Sequence, residues 1–372
     1  MKSLYRLFLC SLPLLYGATA AAQSASDTFL LNVCNQFWKT GEPVPGMLLS
    51  DSVATDTAGF CRPVLFSPAS SVDGYCPFGY KNDDWRNGVT VADYLLVWKH
   101  ILGLKPITSP CLMKAADVHA SGHHSAFDQI DIRQLVLGVY DSFPLNTSWQ
   151  FVPETYNFYT GACPGFDHHP DSTTGSLTLC AVKTGDLDGD VNLHGPYVIP
   201  PNSSLPLSVD GGLVSAGDTA RLAVRLAADG QIAAMQFGIR LDTSRCSVLK
   251  VRGGDYPWYD VQYAAFPDAA HVAWVNPNVF PHPFSAGDVL LEIQVAAHQS
   301  FDPAQVIDLY QTIVPALWVD ADDAVHPFTD SLVLTGSQAG KRTVLGELRF
   351  AVCTATTCDP KKEPISIEIN VE

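Results

Sequence analysis

Residues 82–142 contain one short unit twice, offset by 35 positions, so that Asp93 falls over Asp128, Leu102 over Leu137 and Gly103 over Gly138. Each copy carries apolar residues at helical spacing. Tyr94, Leu95, Trp98, Ile101 and Leu102 share one face in the first, and Ile130, Ile132, Leu135, Val136 and Val139 do so in the second. Each helix opens on a capping box, Thr90-x-x-Asp93 and Ser125-x-x-Asp128, which satisfies the unpaired N–H groups of a first turn. Helices this short cannot bury an apolar stripe alone, so the duplication predicts a packed pair.

The polar turns ahead of the helices have the spacing of a 12-residue cation loop, which directs oxygens from positions 1, 3, 5, 7, 9 and 12 at one hard ion. In the second copy Asp117, His119, Ser121, His123, Ser125 and Asp128 take those places, with Gly122 at the turn. His119 is the misfit, since calcium prefers oxygen to nitrogen. The first copy offers Asn82, Asp84, Thr90 and Asp93, but Arg86 stands at position 5 and the glycine is displaced from Asn87 to Gly88. A third cluster, Asp186-Leu-Asp188-Gly-Asp190-Val-Asn192, sets three carboxylates at alternating positions, and the following Gly195 and prolines allow no helix, so it reads as a lone loop site. Capped helices with ordinary polar turns remain the alternative for the pair, and an acidic turn for the third cluster.

The span NGVTVADYLLVWKHILG…AADVHASGHHSAFDQIDIRQLVLG is similar to dockerin repeats, in which a calcium half-loop and V-x-x-x-D precede an apolar helix ending in LG. The resemblance implies a calcium-folded module that docks onto a cohesin or packs against its own neighbouring domains. Arg86 and His119 depart from that pattern. The segment VSAGDTARLAVRLAADGQIAAMQFGIRLD resembles the opening of a cohesin or related carbohydrate-binding β-sandwich through Gly217, Asp218, Gln236, Phe237 and Asp242. Near the N-terminus, Gly41, Pro43, Gly46, Thr55, Asp56, Gly59 and Phe60 resemble the repeated part of carboxypeptidase-regulatory-like, prealbumin-type sandwich domains.

Around the helical unit the chain reads as strands and turns. The expected class is mainly β and multi-domain, with immunoglobulin-like or jelly-roll sandwiches joined by the small helical pair. Residues 1–22 read as an export signal, 27–80 as a short sandwich, and 81–197 as the calcium module with its third loop. Residues 207–338 read as the cohesin-like sandwich, entered through the Pro-rich linker at 198–206, and 341–372 as a β segment. Lys2, Arg6, an apolar run and small residues at Ala18, Ala20 and Ala22 carry the export reading, and the apolar run is too short to span a bilayer. The expected location is therefore the extracellular space or cell surface, with the periplasm open.

Nine cysteines follow the leader: Cys34, Cys61, Cys76, Cys111, Cys163, Cys180, Cys246, Cys353 and Cys358. In an exported chain they read as disulfides of undetermined pairing with one thiol left over, and the absence of any C-x-x-C weighs against zinc. The formal charge of −16, from 38 acidic and 22 basic residues, argues against nucleic acid or an anionic membrane as partner. The same carboxylates are what calcium sites are made from.

No G-x-S-x-G, H-E-x-x-H, P-loop or dinucleotide fingerprint is present. The reading is a non-catalytic, calcium-binding interaction or scaffolding protein whose partner is a protein, of cohesin or dockerin type or a neighbouring domain of the chain itself. Two other readings stand beside it. Tyr256, Trp258 and Tyr259 could stack a polysaccharide, although strand aromatics are more often core. Cys353 and Cys358 resemble the edge of thiol-disulfide interchange β-domains, with a structural disulfide as the plainer reading.

Overall fold

The computed structural model describes residues 29–48, 62–66, 79–153, 156–160, 174–254, 256, 263–329, 332–335, 340–353 and 358–371. The proposed leader, the Thr55–Phe60 turn, Trp258 and Tyr259 lie outside them.

β1 (Phe29–Phe37) and β2 (Arg62–Phe66) lie on either side of a Gly- and Pro-rich stretch, and pair antiparallel. Three helices follow: α1 (Val91–Ile101), α2 (Pro110–Ala116) and α3 (Ala126–Val136). Then come β3 (Trp149–Pro153) and β4 (Thr174–Lys183). The four strands form one sheet in the order β2-β1-β4-β3, with β1 parallel to β4. The N-terminal strands therefore do not close a separate 27–80 module. They share a sheet, and the core of Phe37, Met47, Trp149 and Phe151, with residues 149–183. A disulfide between Cys111 and Cys180 pins α2 to β4, Cys34 is also disulfide-bonded, and Cys246 is a buried free thiol.

The second half is the expected sandwich. Its early strands are β5 (Leu207–Asp210), β6 (Thr219–Leu226), β7 (Gly230–Ile232), β8 (Ala234–Leu241), β9 (Cys246–Gly253), β10 (Tyr263–Ala265) and β11 (Ala269–Val275). β12 (His282–Phe284), β13 (Val289–Ala297), β14 (Ile307–Leu309), β15 (Leu317–Val319), β16 (Val325–Pro327) and β17 (Val333–Thr335) complete it. One sheet runs β17-β5-β6-β13-β9, and the facing one β10-β11-β8-β15-β16, with β14 also on β8. A long hairpin of β18 (Gly340–Cys353) and β19 (Cys358–Val371) ends the described chain, with Cys353 opposite Cys358 in register.

Alternation along a strand sends successive side chains to opposite faces. In β13 one face is core and the other half exposed, whereas β11 is buried at every position. The reason is a third layer. Ala270, Val272 and Trp274 enter the core between the sheets, while Ala273 and Val275 join α1 and α3 in a second core. β8 and β15 divide in the same way, with Met235, Phe237 and Trp318 on one side and Ala234, Leu317 and Val319 on the other. Helix α1 thus lies on the face made by β8, β11 and β15. The Val91 N–H donates to Gln236 Oε1 at 2.8 Å, and Gln236 Nε2 donates to the Pro315 carbonyl at 3.0 Å.

Tyr256 is not part of an exposed platform. Its ring packs edge-on against Trp274 and Phe284, at 5.6 and 5.0 Å between centroids, and its hydroxyl donates to the Leu290 carbonyl. Trp274 is fully buried at the centre of this cluster. Trp274→Ala should cost about 3–5 kcal/mol of unfolding free energy, read from denaturant midpoints at unchanged slope. A loss below about 1 kcal/mol would show that the two sheets do not depend on this contact.

Candidate metal centre

Thr90 caps α1 from an extended backbone: its side chain accepts from Ala92 N–H at 3.1 Å, and its own N–H donates to Asp93 Oδ2 at 2.8 Å. One oxygen of Asp93 is thereby committed to the cap. The other, Oδ1, accepts from the backbone N–H groups of Leu187 at 2.6 Å and Asp188 at 3.3 Å, in the acidic loop some 94 residues further along the chain.

Asp186 organises that loop by accepting Gly189 N–H at 2.6 Å and Val191 N–H at 3.2 Å. Gly189 has φ +72°, and a side chain there would meet Trp38 and Lys39. Asp188 accepts from Asp190 N–H, and Asp190 Oδ2 accepts from the Tyr197 hydroxyl at 2.7 Å. Asp190 Oδ1 is buried with no hydrogen-bond partner. Candidate ligand oxygens of Asp93, Asp186 and Asp188 lie within 4.8 Å of one another.

The second loop shows what this arrangement is. Asp128 Oδ2 accepts from the cap N–H of Ser125 at 2.8 Å and Oδ1 from the N–H of His119 at 3.0 Å, while Asp117 accepts from the N–H groups of Ser121 and Gly122 at 2.8 and 3.0 Å. Asp93 is wired to the acidic loop as Asp128 is wired to its own. Helix α1 is therefore the exit helix of the loop at 186–192, which follows it in sequence. The candidate site is thus drawn from two chain segments in permuted order, and Asp93 is brought together with Asp186 and Asp188, residues expected to act separately.

The remaining expected ligands go elsewhere. Asn82 accepts from Ser148 N–H at 3.0 Å, Asp84 from the Asn87 amide at 2.9 Å, and Thr90 serves only the cap and Asp93. Arg86 turns out to the carbonyls of Leu135 and Tyr140 and to Asp141. Asn87 stitches the first loop to the acidic loop, donating to the Asn192 and Gly195 carbonyls and accepting from Asn192 N–H. In the second loop, the His119 imidazole pairs with Asp131 at 2.8 Å and stacks on Phe127, Ser121 donates to the His123 carbonyl at 2.9 Å, and His123 is exposed. That loop keeps two carboxylates, Asp117 and Asp128. Among the described residues, only Asp93, Asp186 and Asp188 gather three acidic, histidine or cysteine ligands.

Burial pushes Asp93 and Asp186 well above the usual carboxylate range, and repulsion from Asp188 and Asp190 pushes them further. Burial also raises Asp188. Asp190 is pushed up to about 8 by burial and then by Asp188. Carboxylates this close in a low-dielectric setting cannot all ionise without a compensating positive charge. An all-oxygen set with a buried orphan oxygen fits a hard cation of the calcium type and does not fit zinc or copper.

No known protein family and no curated protein matches the chain. Part of it is similar to solved cohesin structures. A chain of a cohesin–dockerin complex from Clostridium thermocellum matches at 16% identity and a TM-score of 0.28, over 38% of this chain and 96% of that one. The cohesin module of a Clostridium perfringens family 33 glycoside hydrolase matches at 8% identity and 0.26, over 37% of this chain and all of that one. A non-cellulosomal cohesin from Archaeoglobus fulgidus matches at 11% identity and 0.23, over 35% of this chain and 88% of that one.

The raised carboxyl groups fix the sign of a pH effect. A group whose folded pKa exceeds its unfolded value stabilises below the unfolded pKa and loses that contribution as pH rises through the folded one. In chelator, Asp190 should therefore favour the fold below 3.8 and cease to do so by about 8. The melting temperature of the cation-free protein should fall across that window, and Asp190→Asn should flatten the fall. A cation-free midpoint that climbs with pH and is indifferent to Asp190→Asn would contradict the electrostatic account.

Proposed function

We propose that this chain is a non-catalytic interaction protein of the secreted or cell-surface fraction, in which bound calcium makes the helix pair a rigid platform against the sandwich. The observation that carries the reading is the convergence of Asp93, Asp186 and Asp188 to within 4.8 Å, in the loop that also holds the buried, unpartnered Asp190 Oδ1. Calcium accepts six to eight oxygens in irregular geometry, so a site built from two chain segments suits it better than a strictly octahedral ion. These four carboxylates would hold it, with Tyr197 fixing Asp190 and the Thr90 cap fixing Asp93.

The same residues tie the platform to its neighbour. Asp93 sits one turn into α1, and α1 is seated on the β8–β11–β15 face through Val91, Ala92 and Leu95. A cation that holds α1 on the acidic loop also fixes how the helices present their outer surface. That surface exposes Phe127 on α3 and Leu102 and Leu104 after α1, apolar area of the kind that protein partners cover. Recognition by this surface needs no chemistry from the chain. The Cys111–Cys180 disulfide supports an oxidising compartment. Among the described residues no helix is long and apolar enough to cross a membrane.

Calcium titration followed by thermal melting tests the reading. An ion that binds only the folded state at 100 times its Kd adds about 2.7 kcal/mol, so the midpoint should rise with calcium and fall back in chelator. Asp186→Asn, which keeps an acceptor for Gly189 N–H but removes a charge, should abolish most of the rise. A midpoint unmoved between chelator and millimolar calcium would end the calcium reading.

A further inference from the structure

Lys183 is the one long cationic side chain fully enclosed among the described residues, at 1% exposure. It ends β4, two residues before Gly185 and three before Asp186. Its ammonium does not point at the acidic loop. It donates instead to the backbone carbonyls of Asp83 and Asp84, at 2.9 and 2.5 Å, and stands 5.4 Å over the ring of Trp149. Those carbonyls belong to the first loop, at positions 2 and 3 of the cation-loop spacing.

Of the side chains that the spacing would offer to a metal, Asn82 accepts from Ser148 N–H, Asp84 Oδ2 from Asn87 and Thr90 from Ala92 N–H, while Asp93 turns to the acidic loop. Position 5 is Arg86, a second cation. Asp84 has a positive φ of 41°, which turns its carbonyl inward, and Asp83 is anchored by its N–H to Ser148 Oγ at 2.7 Å. Gly88 permits the closure, because a Cβ there would come within 2.7 Å of the Val191 backbone. Burial brings the ammonium down to about 8, and the charges of Asp83 and Asp84 oppose the fall, so it remains protonated at neutral pH.

We propose that the Lys183 ammonium is the resident cation of the first loop, supplied by the chain itself, so that this loop folds without binding a metal ion. The inference deepens the calcium reading by setting where metal does and does not go. It stands separately from that reading because the ammonium contacts are to the Asp83 and Asp84 carbonyls and the Trp149 ring, and to none of Asp93, Asp186 and Asp188. It also gives Lys183 a structural consequence: the residue that fills the first loop starts the turn into the second half of the split site.

Chemical rescue on the full chain tests the proposal. Lys183→Ala removes a fragment equivalent to propylammonium, leaving the part-buried Asp83 carbonyl without its ammonium donor and the Asp84 carbonyl with only the Asn87 N–H, which should lower the melting temperature by about 5 °C. Propylammonium should recover most of that loss, and 1-propanol, of the same shape but uncharged, should not. Lys183→Met, which keeps most of the stem without the charge, should stay as unstable as Lys183→Ala. In parallel, calorimetric titration should give the same number of calcium equivalents for the Asp84→Asn variant as for the wild-type chain. Equal recovery by propanol, a Lys183→Met variant as stable as the wild type, or one calcium equivalent lost in Asp84→Asn would each overturn the proposal. If the wild-type chain takes up no calcium at all, the calcium reading fails, while the contrast between propylammonium and propanol still decides the role of Lys183.

Discussion

The interaction on which the rest of this structure depends is the approach of Asp93 to Asp186 and Asp188 inside the protein. Like charges at such distances repel strongly in a medium of low dielectric constant, and the repulsion must be met by protonation or by a cation. Backbone N–H groups offset part of it: five of them, from Thr90, Leu187, Asp188, Gly189 and Val191, donate to Asp93 and Asp186. They fix the geometry of the carboxylates without neutralising them. The loop is thus held in a shape that suits a cation, at an electrostatic cost that only a positive charge removes.

From that contact the architecture can be followed outward. Holding Asp93 sets the N-terminus of α1, and the next free donor of that helix, Val91 N–H, reaches Gln236 in the middle of β8. Gln236 is a polar side chain in a buried strand, tolerated because both ends of its amide are satisfied. The far end of the helical pair is tied independently. His271 on β11 bonds the Leu137 carbonyl at 2.8 Å, and Lys105 reaches Asp323 at 2.9 Å. The acidic loop and the sandwich thereby grip α1 from two sides, and β11 and β15 beneath it are buried on both faces.

Much of this was legible in the residues. The capping boxes at Thr90 and Ser125 placed both helices to within a residue, because a cap is a local transaction between a side chain and its own first turn. The succession of strands and turns marked the second half as a β-sandwich. Burial of β11 at every position was not readable, since an apolar run does not say which two surfaces will cover it. Tyr256, weighed as a surface platform, faces inward for the same reason. The N-terminal strands suggested a domain of their own, and the parallel pairing of β1 with β4 is a long-range contact that no local pattern encodes.

The split site failed to be legible for a different reason, and the clue was present. The acidic loop had its carboxylates at the right spacing but no helix after it. Helix α1 had its cap and its position-12 carboxylate, but behind a loop spoiled by Arg86. Each lacked what the other possessed. Reading a motif along the chain assumes that loop and helix are contiguous, whereas a cation requires only that oxygens converge in space. The displaced glycine points the same way: Gly88 is where the first loop lies against Val191 of the acidic loop, a contact that a Cβ would block. A degenerate repeat beside an acidic loop without a helix is thus the sequence trace of carboxylates that meet from two places, with Arg86 turned outward and Lys183 reaching the carbonyls of the first loop.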